Sequence, residues 1–425
     1  MKTTAIIAEY NPFHNGHRYL IGEARRRTGA DFILVVMSGD FVQRGAPALY
    51  HKYLRTHMAL LGGADVVIEL PCLYATSSAE FFAQSAVTLL HRLGMIDYLC
   101  FGSEQGDISL LSSIASLLIK ESEHYQSALL GQLKKGLTFP AARCAALSEL
   151  KTSFSFPQEE KLTALLSSPN NILGIEYCKA LATLPSDITP ITVKRLGSGY
   201  HDESLPSEEQ FFGSASAIRK ILEDSANEQV PLTVKDQLPE NVYELLTRNG
   251  QFADVVTCED FSAMLHYKLL SEQEQGFVHY LDCNRELSNK ICRTLPEYDG
   301  FASFCRKLKT RELTYTRVSR CLLHILLGIT TPKSYLAPFE DRALSLPYAR
   351  LLGFRKEAKE VLSAMKKSSS VPILSKLADA PALLTEEGQR LLKQDILASE
   401  IYEAAATDKK QREPLNEIRQ SPIIL

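Results

Sequence analysis

Ala5-Ile6-Ile7-Ala8-Glu9-Tyr10-Asn11-Pro12-Phe13-His14-Asn15-Gly16-His17 decides how this chain is read. Ala5 to Ala8 is an uninterrupted apolar run, as a strand buried on both faces requires. Asn11-Pro12 ends it, because proline turns the residue before it away from the helical region. Beyond Gly16, Leu20, Ile21 and Ala24 recur at helical spacing to about Thr28. His14-Asn15-Gly16-His17 therefore falls where a strand turns into a helix. The unsatisfied N–H groups and positive dipole end of that helix face the space above the turn. A polyphosphate is the natural occupant. Gly16 lets it approach the backbone closely, and His14 and His17 can donate to the same phosphate oxygens. Their effect is greatest where charge builds on an α-phosphate and a departing pyrophosphate. The segment thus points to making an adenylate. The competing reading is that one histidine caps the helix and the other is a satisfied surface residue.

Outward from this segment, strand and helix patterns alternate. Residues 32–37, 65–70 and 98–101 read as buried strands, and 53–61 and 79–93 as helices. Gly-Ala-Asp occurs at 29–31 and again at 63–65, each time joining a helix to a strand. This is the α/β class: a Rossmann-like parallel sheet with right-handed crossovers and helices on both faces. The turns after the strands, at 11–16, 38–45, 71–78 and 102–104, should line one rim, where ligands of such sheets bind.

Residues 105–185 are expected to be a helical extension, 188–195 a further strand, and 214–222 a helix returning to the site. Residues 227–239 read as a linker. The expected domains are a catalytic unit at 1–228 and a mainly α-helical unit at 229–425. A short strand is expected near 371–374, and the tail after Thr407 reads as loosely held.

A chain of 425 residues suits two domains. Its net charge of −3 excludes a globally basic nucleic-acid binder, so any RNA contact must be local. The place for it is Arg306, Lys307, Lys309, Arg311, Arg317 and Arg320, relieved between 306 and 320 by one acid, Glu312. Tyr315 could stack on a base there, and Arg350, Arg355 and Lys356 would add to the patch if they fold nearby. Nine cysteines without a C-x-x-C pair argue for reduced thiols, a cytoplasmic location and no zinc site. No run approaches the ~18 apolar residues of a membrane span. Neither a membrane nor DNA is expected as a partner, and the oligomeric state is open.

His14-Asn15-Gly16-His17 resembles the HxGH signature of the nucleotidylyltransferase superfamily, shared with class I aminoacyl-tRNA synthetases. The longer string Ala8 to His17, followed by Met37-Ser38-Gly39-Asp40-Phe41-Val42-Gln43-Arg44-Gly45, resembles the bacterial tRNA(Met) cytidine acetate ligase family. The resemblance implies an ATP site built from Ile7, Ala8, Glu9, Tyr10, Asn11, Pro12, Phe13, His14, Asn15, Gly16, His17, Arg18, Tyr19 and Leu20. Gly102, Asn170 and Arg195 match further ATP positions. Ser214, Ser216 and Arg219 resemble the helix start that grips the β- and γ-phosphates. Catalytic candidates are His14, His17, Asp40 and Lys52. The family often has an acid before that lysine, where this chain has His51.

The implied reaction activates acetate with ATP, releases pyrophosphate, and passes the acetyl group to N4 of the wobble cytidine of elongator tRNA(Met). Mg²⁺ would arrive on the ATP phosphates, since the sequence carries no dedicated metal motif. Two other readings use the same pocket: an adenylyltransferase acting on a cofactor precursor, and a non-catalytic ATP-sensing RNA-binding module.

Overall fold

The computed structural model describes residues 1–119, 123–135, 137, 139–149, 159–196, 213–224, 232–248, 254–339, 342, 344–410 and 413–425. Its strands are β1 (Thr3–Ala8), β2 (Phe32–Ser38), β3 (Phe41–Val42), β4 (Ala46–Pro47), β5 (Val66–Leu70), β6 (Tyr98–Ser103), β7 (Thr189–Lys194), β8 (Ala349–Phe354), β9 (Ile373–Leu374) and β10 (Ile423–Ile424).

The main sheet runs β10-β8-β5-β2-β1-β6-β7, with β9 also paired to β8. Strands β5, β2, β1, β6 and β7 are mutually parallel. Successive residues feed opposite layers, as the two-residue period of a strand dictates. Ala5, Ile7, Leu34 and Val36 pack in one core with Phe82, Ala86 and Leu90 of the helix Ala79–Leu93. Ile6, Ile33, Val35 and Met37 pack in the other, with Ile21 of helix α1 (Asn15–Thr28) and Leu54 and Met58 of α2 (Lys52–Leu61). The apolar runs of the sequence are therefore runs because both faces are covered.

The sheet order turns around at β1, which has β2 on one side and β6 on the other. A crevice opens there at the carboxyl ends of the strands. Between β6 and β7 the expected extension is present as the helices Ile108–Ile119, Glu123–Lys134, Phe139–Glu149, Glu159–Ser167 and Pro169–Thr183.

Three expectations for the second half change. Besides β9, which falls within the strand expected near 371–374, the sheet draws β8 and β10 from beyond residue 228, while the expected boundary itself lies outside the described residues. The described part of the expected linker contains a helical turn, Leu232–Lys235. The tail is tied in: Ile423 and Ile424 pair with Gly353 and Phe354, and Glu417 is buried. Arg350 belongs to this buried structure and not to a surface patch, since it lies on β8 at 4% exposure.

What holds the tail is a buried ionic cluster. Lys52 Nζ lies 2.9 Å from Glu69 Oε1, 2.6 Å from Glu417 Oε1 and 3.7 Å from Asp40 Oδ2, and donates to Ser399 Oγ at 2.8 Å. Arg350 completes it, with Nη1 2.9 Å from Glu69 Oε2 and Nη2 2.6 Å from Glu417 Oε1. Gly39 is needed beside it, because a Cβ there would lie 2.5 Å from Glu69 Oε1. Charges taken out of water this completely are tolerable only when paired.

Burial alone would raise the Glu417 carboxyl, but Lys52 and Arg350 outweigh it and hold the group at about 2. Below its ordinary value of 4.5 the unfolded chain takes up the proton that the folded chain refuses. The stability that Glu417 contributes is thus full above that value and is lost as pH falls towards about 2. Glu417→Gln should destabilise the protein at pH 7 by about 3–5 kcal/mol in urea unfolding. The difference from the parent should close as pH falls from 4.5 towards 2. A gap that stays constant with pH would rule out this linkage.

Candidate functional site

The cleft opens where β1 and β6 end. Its rim includes Ile7, Ala8, Glu9, Tyr10, Asn11, His14, His17 and Leu20 from the first turn, with Gly102 after β6. Asn170, Arg195, Ser214, Ser216 and Arg219 arrive from far along the chain. The space holds about 1160 Å³ including open solvent. Gly16 and Tyr19 line an adjoining lobe beside Val193, Lys194 and Arg195.

His14 is the N-cap of α1: its Nδ1 accepts from Gly16 N at 3.0 Å. His17 answers from the same turn, its Nδ1 accepting from His14 N at 3.3 Å. The rings lie 3.8 Å apart, centroid to centroid. A neutral imidazole that accepts at Nδ1 carries its proton on Nε2. Both rings are thereby set as Nε2–H donors. Burial, then the Arg195 and Arg219 charges, pulls His14 down to about 3. Burial, His14 and the same arginines also push His17 well below its usual value. The competing reading of the sequence is half met: His14 caps the helix, yet both rings line the cleft.

Arg219 comes from the helix Ala215–Asp224, whose start is capped by Ser214 Oγ accepting from Ala217 N at 3.0 Å. Its guanidinium is held by Ser216 Oγ at 2.9 Å and by the Asn11 carbonyl at 2.9 Å. No carboxylate lies within ion-pairing distance of Arg195 or Arg219 among the described residues. Burial disfavours both charges, yet guanidinium does not give up its proton. The cleft thus gathers three arginines, Arg44, Arg195 and Arg219, around one carboxylate, Glu9.

The rim is braced from below by Arg55. This fully buried residue donates to the carbonyls of Tyr50 at 2.9 Å, Glu9 at 2.6 Å, Ser38 at 3.1 Å and Gly39. It fixes the ends of β1 and β2 together. Asn170 is placed by Glu104, whose carboxylate accepts from Asn170 Nδ2 at 2.7 Å and Asn171 N at 2.9 Å. Glu104 caps that helix in place of Ser168, which makes no side-chain cap bond.

Other expected residues lie elsewhere. Asp40 and Lys52 do not line the cleft; they sit in the buried ionic cluster, with Asp40 Oδ1 accepting from Lys52 N at 2.7 Å. The structure therefore gives them a structural place, and His51 caps α2 beside them. Phe13 is buried against Gly62, Asn15 bonds to the carbonyls of Asp236 and Gln237, and Arg18 points to solvent. Pro12 is buried next to Phe13, outside the cleft lining.

Sequence reading missed an apolar wall of Phe82, Phe101, Leu173 and Tyr177. These positions read as ordinary core, and nothing in their spacing marks them. It also missed Gln43, whose N–H donates to Glu9 Oε1 at 3.0 Å. Residues 38–45, expected as a turn on the rim, enter the short β3–β4 hairpin.

The basic segment divides. Arg306, Lys309 and Arg311 are exposed, and Arg317 is half-buried. Lys307 pairs with Asp299 at 3.1 Å. Arg320 leaves the patch: it is buried, with Nε 2.9 Å from Asp282 Oδ2. Arg306 lies on the helix Phe301–Leu308, Lys309 and Arg311 follow it, and Arg317 lies on the next helix, Tyr315–Leu327.

A family model described as HIGH Nucleotidyl Transferase matches residues 1–417. A protein of Acetivibrio thermocellus named tRNA(Met) cytidine acetate ligase is 39% identical over 431 positions, covering 100% of both chains. A protein of that name from Clostridium perfringens is 40% identical over 408 positions, covering 95% of each. The crystal structure of Thermotoga maritima TmcAL in its apo form has a TM-score of 0.90 at 30% identity over 100% of both chains. The same protein bound with alpha-thio ATP gives 0.88 at 29% identity, again over 100% of both. From β1 to the tail that closes the sheet, the chain belongs to the tRNA(Met) cytidine acetate ligase family of HIGH nucleotidyl transferases.

Proposed function

We propose that this protein is an ATP-dependent ligase that activates acetate as acetyl-adenylate. It then transfers the acetyl group to N4 of the wobble cytidine of elongator tRNA(Met). The observation that carries the reading is the convergence on one cleft of two Nε2–H imidazoles, the start of α1 and the guanidinium of Arg219. ATP lies along this edge, its phosphates over the turn from His14 to His17. An acetate oxygen attacks the α-phosphorus and pyrophosphate leaves. The imidazole N–H groups, the helix N–H groups and Arg219 stabilise the charge that develops, without moving a proton of their own.

Mg²⁺ would be carried by the nucleotide's own phosphate oxygens. Such an ion would neutralise phosphate charge as ATP enters. The cytoplasm is the natural place for the reaction, where the nine free thiols stay reduced. No described helix is long and apolar enough to cross a membrane. The tRNA lies on the exposed basic residues Arg306, Lys309 and Arg311 and the half-buried Arg317.

An adenylyltransferase acting on a phosphorylated precursor would use the same cleft. Acetate-dependent exchange of labelled pyrophosphate into ATP, together with nucleoside mass spectrometry of the product tRNA, separates the two. Exchange driven by a phosphorylated metabolite and indifferent to acetate would sink the ligase reading.

Three outcomes follow from the site. His14→Ala removes a donor to the developing charge and should lower acetyl transfer by roughly 10²–10³-fold. Its tRNA affinity in filter binding should stay within about threefold, or about 0.65 kcal/mol. In the nucleotide-free protein the ring signals of His14 and His17 should not titrate between pH 5 and 8 by NMR; a transition near 6.5 would contradict the buried neutral state. Replacing Lys309 and Arg311 with Gln should weaken tRNA binding and flatten its salt dependence by about 0.7–0.9 in log–log slope per lost phosphate contact. An unchanged slope would remove this surface from the interface.

A further inference from the structure

A second pocket opens off the cleft, with about 390 Å³ of empty space including open solvent. It lies between the β3–β4 hairpin, the helix Ala215–Asp224 and the segment 256–258. It shares Glu9, Asn11, Arg44 and Arg219 with the cleft, so the two spaces meet at those four side chains. We propose that this pocket receives the cytosine base to be acetylated, and that Glu9 accepts the proton its amine gives up. The inference rests on the ligase reading above and adds the base-binding site and the proton acceptor.

Cytosine presents a distinctive edge: the N4 amine donates, while N3 and O2 accept. A carboxylate is the natural partner of N4. Two carboxylates line the pocket, Glu9 and Glu223, and of these only Glu9 also lines the cleft where acetyl-adenylate would lie. It is held in place, its Oε1 accepting from Gln43 N and its own carbonyl gripped by Arg55. The guanidiniums of Arg44 and Arg219 stand at the same junction to meet N3 and O2. Pro47 and Val256 supply apolar walls for the ring. Uracil offers an oxygen where cytosine offers the amine, and a carboxylate there opposes it.

The pocket is also tied to the basic surface. Gly45, at the hairpin tip with φ of 75°, packs so tightly on the helix Tyr315–Leu327 that a Cβ would lie 2.3 Å from Arg320 N. Ser319 Oγ donates to the Gly45 carbonyl at 2.7 Å. On the other wall, Glu259 follows Cys258 and caps the helix Phe301–Leu308, accepting from Phe301 N at 3.0 Å and Ala302 N at 2.8 Å. Both walls thus lean on the helices that carry Arg306 and Arg317.

The step balances. The N4 lone pair attacks the carbonyl carbon of acetyl-adenylate, and a C–N bond forms. The C–O bond to AMP breaks, and AMP leaves with the electron pair on its phosphate. The nitrogen gives one proton to the Glu9 carboxylate.

The test measures two rates in the full-length protein: acetate-dependent ATP–pyrophosphate exchange, and single-turnover acetyl transfer to tRNA. Ala46 is half-buried at the pocket, so Ala46→Phe should fill it without breaking the core. Ala46→Phe and Glu9→Gln should each lower the ratio of transfer to exchange at least 100-fold. The ratio corrects for any loss of folded protein. A parental ratio in Ala46→Phe would overturn the pocket, and in Glu9→Gln the proton acceptor. A parent protein without acetate-dependent exchange would overturn the ligase reading itself, and this inference with it.

Discussion

Two buried cations, Lys52 and Arg350, compensate three buried carboxylates, Asp40, Glu69 and Glu417, and the rest of the structure is arranged around that compensation. The five residues come from the loop after β2, the start of α2, strand β5, strand β8 and the tail. None could be buried alone, because an unpaired charge in this environment costs more than the fold has to spare. The cluster therefore makes the tail part of the catalytic unit. It also fixes the loop from which the β3–β4 hairpin rises, and so one wall of the cleft.

Above this base, the site keeps its cations unneutralised. Arg195 and Arg219 face the cleft without a carboxylate within pairing distance among the described residues, and the two imidazoles stay neutral beside them. Backbone N–H groups hold both rings at Nδ1, so the direction of the remaining proton is settled before a ligand arrives. Such preorganisation is where electrostatic catalysis gains its advantage over water, whose dipoles must reorient during the reaction. Arg55 extends the same logic to the backbone, holding four carbonyls that no sheet partner could reach together.

Much of the fold was legible because it follows from local periodicity. The strand at 98–101 and the helix at 79–93 were both written in their own residues. The histidine turn at the start of α1 was legible for a similar reason, since helix start, glycine and histidines all lie within four positions. The tail was misread because its polarity looked like exposure. Glu417 is polar in order to meet Lys52 and Arg350, which lie 365 and 67 positions earlier in the chain. Lys52 was misread for the complementary reason: proximity to the rim in sequence does not say which way a long side chain points.

The sequence by itself determined the parallel sheet, the rim of turns at the carboxyl ends of its strands, and the histidine turn on that rim. Each depends on contacts between near neighbours or on a period of two or 3.6 residues. Only the tertiary structure decided which charges are buried together, that Arg320 leaves the basic surface for Asp282, and that Phe82, Phe101 and Tyr177 wall the cleft. Those outcomes depend on desolvation and packing between segments separated in the chain, and a linear pattern carries no record of which of them meet.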